Sequence, residues 1–192
     1  MNIAQDLFKS IRIVAVLWIL TAVLYPLLTW GIGQTLFSSQ ANGSLVFNAQ
    51  GQPIGSSLIG QPFKSDRYFW SRPSTINYAI LPEVSKTGAS GASNLAPSNP
   101  ALFDRIKPEA KRLQQANIKP TADMLYTSGS GLDPHISLES AQAQIPRLSQ
   151  ARGIDASRLQ TLINQAVDDR ILWILGEPGV NVLKLNLSLD QK

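Results

Sequence analysis

One stretch constrains this chain before anything else. Ile13 to Trp30 reads IVAVLWILTAVLYPLLTW, eighteen residues with no charge, ten of them Leu, Ile or Val. As a helix it covers about 27 Å, close to the roughly 30 Å of a bilayer's hydrocarbon core. Ten such side chains supply about −3 to −6 kcal/mol of insertion free energy, with no buried charge to oppose them. Pro26 breaks a helix in water, but a membrane helix tolerates it where Thr hydroxyls or neighbouring helices satisfy the freed carbonyl. Tyr25 and Trp30 stand toward the far end, where amphipathic rings favour the interface. Lys9, Arg12 and the amino terminus precede the run against one acid, Asp6, and no further Lys or Arg follows until Lys64. The positive-inside rule then places residues 1–12 in the cytoplasm, a transmembrane helix at 13–32, and residues 33–192 outside. A cleaved signal peptide is the rival, with Ser39-Gln40-Ala41 as a loose cleavage site. The apolar run exceeds the usual 7–15 residues of a signal core.

About 150 residues remain for one folded domain with a modest core. Of the formal net charge of +4, the N-terminal tail holds one, leaving a mildly basic domain. Its basic side chains are scattered, which argues against nucleic acid as a partner. The sequence holds no cysteine, so thiol chemistry and disulfides are excluded, and its one histidine makes a transition-metal site unpromising.

In chain order, Leu45–Phe47 and Ile54 with Leu58-Ile59 flank a turn at Gln50-Gly51-Gln52-Pro53 and predict paired short strands. An aromatic segment follows, in which Phe63, Tyr68, Phe69 and Trp70 are interleaved with Lys64, Arg67 and Arg72. Adjacent Tyr-Phe-Trp cannot share one face of a strand, so at least one ring should turn from the core. Either the loop packs its rings onto the domain, or Tyr68, Phe69, Trp70 and Arg72 form a partner-binding surface. Residues 85–100 are rich in Gly, Ser, Ala and Asn and predict a flexible loop. Asn99-Pro100 then opens a helix to about Gln115, with Leu102, Ile106, Ala110 and Leu113 on one face and a break or kink near Lys107 before Pro108.

Ser128-Gly129-Ser130-Gly131-Leu132-Asp133-Pro134-His135 can aim backbone N–H groups at an anion. It is neither a G-x-x-x-x-G-K-[ST] loop nor a G-x-S-x-G elbow. Ser130, Asp133 and His135 supply the residue types of a hydrolytic triad, and a structural turn capping the next helix is the plainer reading. That helix runs from Ser137 as N-cap to Gly153 as C-cap, and Asp155 caps another that ends near Asp168-Asp169, with Arg170 to answer those acids. Ile171–Leu175 predicts a buried strand, and Val182–Leu189, alternating Leu with Lys, Asn and Ser, predicts the clearest strand of all. The expected architecture is a single N-terminal transmembrane helix plus one external α/β or α+β domain.

The ordered set of motifs resembles a known family. Its carriers are the N-terminal span, Leu58-Ile59-Gly60-Gln61, Tyr68 to Ser74, Gly88 to Leu95, Ser98-Asn99-Pro100, Ser128 to Ser137, Leu175-Gly176-Glu177-Pro178, Asn181-Val182-Leu183 and Leu185-Asn186. Together they are similar to the C subunit of Kdp-type potassium-transporting ATPases of bacterial inner membranes. Gln115 to Asp123 matches no part of that pattern. The resemblance implies a non-catalytic accessory subunit beside a channel-like potassium-binding subunit and a P-type ATPase subunit, which handle potassium and ATP. It also implies a catalytic chaperone that raises the ATP affinity of the ATPase subunit. An external domain reaches ATP only indirectly, so that effect is expected to be allosteric, with no cofactor and no metal bound directly. The rival functions are a membrane-tethered external hydrolase and a cleaved, soluble external binding module.

Overall fold

A helical rod of 34 residues, Ile3–Leu36, opens the chain, longer than the apolar run that predicts it. The computed structural model describes residues 3–48, 50–81, 85 and 88–190. Its contacts divide the chain into two units, Met1–Leu45 and Val46–Lys192.

In the first unit, α1 (Ile3–Trp18) passes through a π-helical stretch, Ile19–Leu24, into α2 (Tyr25–Leu36). Pro26 cannot donate, and its ring crowds the carbonyl four residues back. The wider winding just before it makes room, and the Tyr25 N–H reaches Leu20 O, five residues away. Each threonine of the rod bonds a preceding backbone carbonyl: Thr21 to Leu17 O at 2.8 Å, Thr29 to Tyr25 O at 3.0 Å, Thr35 to Gly31 O at 2.8 Å. The three threonine hydroxyls are thus satisfied within the rod, and every described side chain of α1 is exposed. A short α3 (Ser38–Ala41) ends the unit.

Beyond Ser44 a hairpin forms from β1 (Leu45–Phe47) and β2 (Pro53–Ser56); the pairing is as predicted, but the second strand takes in Pro53 and stops before Leu58-Ile59, of which Ile59 only bridges back to Ser56. Asn48 Oδ1 accepts from Gln50 N at 3.0 Å and Gln52 N at 2.8 Å. Helix α4 (Pro100–Gln115) is capped by Asn99, whose side chain accepts from Ala101 N at 3.0 Å. The predicted break at Lys107 is absent. Pro108 is exposed, so water can satisfy the carbonyl it frees, while buried Leu102 and Leu113 anchor both ends. A single turn, α5 (Ala122–Leu125), leads to β3 (His135–Ile136).

The helix expected from Ser137 to Gly153 is two: α6 (Leu138–Ala143) and α7 (Ile145–Arg152). Pro146 and the inward turn of Gln144 interrupt it. Ser137 caps the first and left-handed Gly153 closes the second, as read. Asp155 caps α8 (Ala156–Gln165), which stops three residues short of Asp168 because β4 (Val167–Asp168) begins there. β5 (Gly179–Asn181) lies between β3 and β4, antiparallel to both, with His135 opposite Asn181 and Val167 opposite Val180.

Two strand predictions fail. Val182–Asp190 is helix α9, burying Val182, Leu183, Leu185, Asn186 and Leu189. The leucine alternation hid a helical stripe, because Val182, Leu185, Asn186 and Leu189 recur at helical spacing and Asn186 belongs to it. Ile171–Leu175 is no buried strand but an exposed turn between β4 and β5. The core gathers Leu113, Ile118, Met124, Leu148, Leu159, Ile163 and Leu185 around Phe69 and Trp70. The α+β class holds, with the three-stranded sheet contributing Ile136 and Val180 to a mainly helical core.

Candidate functional site

The Gly-Ser loop is a junction. Ser128 Oγ accepts from Gly131 N at 2.8 Å, and Ser130 Oγ accepts from Leu132 N at 3.1 Å. Two of the loop's N–H groups are therefore engaged by the loop's own hydroxyls. Carbonyls of the loop receive three other segments: Gly91 N donates to Ser130 O at 2.7 Å, Ser74 Oγ to Gly131 O at 2.7 Å, Gly60 N to Leu132 O at 2.8 Å. Gly131 has φ +70, and a Cβ there would meet Gly91 O and Ile76 Cγ1 at 2.7 Å. Only glycine fits both demands. Thr75 Oγ1 also donates to Gly91 O at 2.6 Å. The stretch predicted as a flexible loop is therefore stitched down at Gly91; Lys86 and Thr87 lie outside the described residues. Ser128 is buried, while Gly129 and Ser130 are exposed beside a shallow cavity that Arg72 and Asp133 also line.

Below the loop, charges alternate in a row. Arg72 Nη1 donates to Asp133 Oδ2 at 2.7 Å, and Asp133 Oδ1 lies 3.4 Å from His135 Nδ1. On the other side of the ring, His135 Nε2 is 2.9 Å from Asp168 Oδ2, and Lys184 Nζ donates to Asp168 Oδ1 at 2.9 Å. Gly179 lets the imidazole lie across β5, since a Cβ there would come within 3.1 Å of the His135 Cβ. The bond to Asp133 and the one to Asp168 hold the imidazolium pKa above the usual histidine range, against a burial that lowers it. Burial pushes both carboxyls up, but the bonds from His135, with Arg72 at Asp133 and Lys184 at Asp168, outweigh it and leave both below the usual range. Each of the three groups is thus held toward its charged form by its neighbours. Asp168 meets His135 and Lys184, not Arg170, which pairs with Glu177 at 2.7 Å. Both imidazole nitrogens face carboxylates, and no hydrogen bond joins Ser130 to His135 among the described residues. The triad of Ser130, Asp133 and His135 is not assembled.

The aromatic segment runs into the core. Phe69 is fully buried and Trp70 nearly so, while Tyr68 is half-buried. Their backbone is held by side-chain amides: Phe69 N donates to Asn186 Oδ1 at 2.8 Å and Phe69 O accepts from Asn186 Nδ2 at 3.0 Å. Trp70 N and O meet Gln144 in the same way, at 2.7 and 3.2 Å. The Trp70 ring lies between the guanidinium groups of Arg112 and Arg147, at 4.1 and 4.2 Å from its centroid. Tyr68 donates to Asp190 Oδ2 at 2.8 Å, and Arg72 belongs to the charged row. Of the four residues expected to meet a partner, two are core. The surface this segment presents is formed by the exposed Lys64 and Arg67 with the Tyr68 edge.

The feature that sequence reasoning missed is the apolar turn. Trp173 is 86 % exposed, and Ile171, Leu172, Ile174 and Leu175 are also exposed. Its signal was the flanks: Asp168-Asp169-Arg170 before it and Gly176-Glu177-Pro178 after it leave a five-residue apolar run too tightly bracketed to span a core.

The family model for "K+-transporting ATPase, c chain" matches residues 7–191. The potassium-transporting ATPase KdpC subunit of Synechocystis sp. is 58 % identical over 183 residues, covering 95 % of this chain and 96 % of that one. The KdpC subunit of Microcystis aeruginosa is 53 % identical, covering 99 % and 97 %, and that of Geobacter sulfurreducens 46 %, covering 97 % of each. With the ordered motifs, one apolar rod and a small α+β unit, the chain belongs to the KdpC family, the c chain of potassium-transporting ATPases.

Proposed function

We propose that this chain is the single-span accessory subunit of an ATP-driven potassium import pump, assembled with a channel-like potassium-binding subunit and a P-type ATPase subunit. Residues 1–12 lie in the cytoplasm of a bacterial inner membrane, 13–32 cross it, and 33–192 fold outside. Kinship to the KdpC family over residues 7–191 carries this reading. The lopsided charge around the rod supports the orientation. An increase in the ATP affinity of the ATPase subunit then travels through the membrane and external contacts, by favouring one conformation of the pump. In this reading the Gly-Ser loop and the charged row shape the external unit rather than hold nucleotide, since the loop's carbonyls tie in Gly60, Ser74 and Gly91 and its hydroxyls bond Gly131 N and Leu132 N.

Protease added to cells stripped of their outer wall tests it. Digestion of the folded unit with the cell interior intact is expected, and full protection overturns the orientation. Purification in mild detergent should bring both companion subunits along, and recovery of the chain alone overturns the assembly.

A further inference from the structure

Other exposed apolar side chains of the second unit stand singly, such as Phe103, Tyr126 and Leu138, or in adjacent pairs, Leu58-Ile59 and Ile80-Leu81, which is ordinary for a protein surface. The turn between β4 and β5 differs. Five consecutive large apolar side chains, Ile171 to Leu175, are each at least 59 % exposed. The turn is not loose: Ile171 N donates to Leu175 O at 2.9 Å, and Leu175 N to Ile171 O at 3.0 Å. Leu172 and Trp173 both have left-handed backbone, with φ of +53 and +66. Bulky residues seldom hold that conformation, so the closed turn fixes the display of its side chains. The rim is acidic. Arg170 is locked to Glu177, and exposed Asp169 has no ion-pair partner among the described residues. A fixed apolar knob with tryptophan at its tip is the form of an interface anchor.

We infer that the Ile171–Leu175 turn is a docking knob that seats Leu172 and Trp173 in an apolar cleft, rimmed by Lys or Arg, on the outer face of a companion subunit of the pump. This rests on the assembly proposed above. A lipid surface fits less well, because the spare charge at the rim is an acid, which anionic headgroups repel.

The test uses the full chain in membranes of cells making the whole pump. Trp173 is replaced by photoreactive benzoylphenylalanine and the adducts are mapped by mass spectrometry. The expected adduct joins position 173 to an extramembrane peptide of a companion subunit with a basic residue beside its apolar ones. In parallel, Leu172→Ser with Trp173→Ser should cut recovery of companions by at least about tenfold, and Asp169→Lys should cut it severalfold. An adduct to lipid, an adduct to a second copy of this chain, or unchanged recovery with no adduct overturns the inference. If the unaltered chain brings no companion, the assembly falls and the knob with it. If the unaltered chain and the serine variant recover companions equally, only the knob falls. Should the serine variant fail to accumulate, the adduct at position 173 decides.

Discussion

Two apolar stretches of the folded unit end in opposite places. Tyr68-Phe69-Trp70, ringed by Lys64, Arg67 and Arg72, reads either as a packed loop or as a surface, and its Phe69 and Trp70 lie in the core. Ile171–Leu175, free of charge, looks like core and lies outside. What separates them is how the backbone is satisfied. A buried peptide group needs a partner, and a segment without a ladder must borrow one. Asn186 and Gln144 lend theirs to Phe69 and Trp70, each amide giving one donor and one acceptor, as a neighbouring strand would. The turn instead closes its hydrogen bonds on itself, between Ile171 and Leu175. It needs nothing from the core and stays out of it. Side-chain hydropathy alone does not tell the two apart.

The contrast can be broken by mutation. Phe69→Ala should cost about 3–5 kcal/mol in denaturant unfolding, the toll of an emptied core site. A loss under about 1 kcal/mol would return Phe69 to the surface. Asn186→Ala leaves the peptide groups on both sides of Phe69 unpaired and should cost about 2–4 kcal/mol with little change in apolar burial.

Between the two stretches runs the charged row, from Arg72 just after the first to Asp168 just before the second. His135 has a raised pKa, so its contribution is complete below the unfolded value near ~6.5 and disappears as pH climbs through the folded one. Asp133 and Asp168 are depressed, so theirs is present above ~3.9 and disappears as pH falls through their folded values. The row therefore contributes most between about pH 4 and 6.5. The unfolding midpoint should decline as pH rises above about 6.5, and His135→Gln should flatten that decline. An unaltered slope would mean that the row is ornamental to stability. Smallest of all, Trp173→Ser should shift unfolding by no more than about 0.5 kcal/mol, since its ring touches mainly solvent.

Local signals were legible wherever one residue type does one job. Asn99, Ser137 and Asp155 cap helices, Gly153 closes one, and the turn after Phe47 forms where its residues ask for it. The family motifs were legible as an ordered set, and the apolar rod by its length. Three features escaped because they depend on partners distant in sequence. Period alone could not separate strand from helix in Val182–Asp190, since alternate leucines also fill a helical face. Pro108 was read as a break, yet burial at both ends of its helix overrides one missing bond. At the candidate site, Asp133 and His135 were named from sequence. Asp168 and Lys184, 33 and 49 residues beyond His135, reach it only because β4 and α9 flank the central strand.

The wide turn at Ile19–Leu24 has a consequence for the apolar rod, the chain's candidate membrane span. One surplus residue in a turn rolls everything after it by about 100° relative to an unbroken α-helix. The apolar seam offered by the first half is thus not continued by the second, and two neighbours could be gripped at different azimuths. Deleting a single residue there, together with Pro26→Ala, would straighten the winding and swing Tyr25, Trp30 and the rest of that half around, scarcely altering its length.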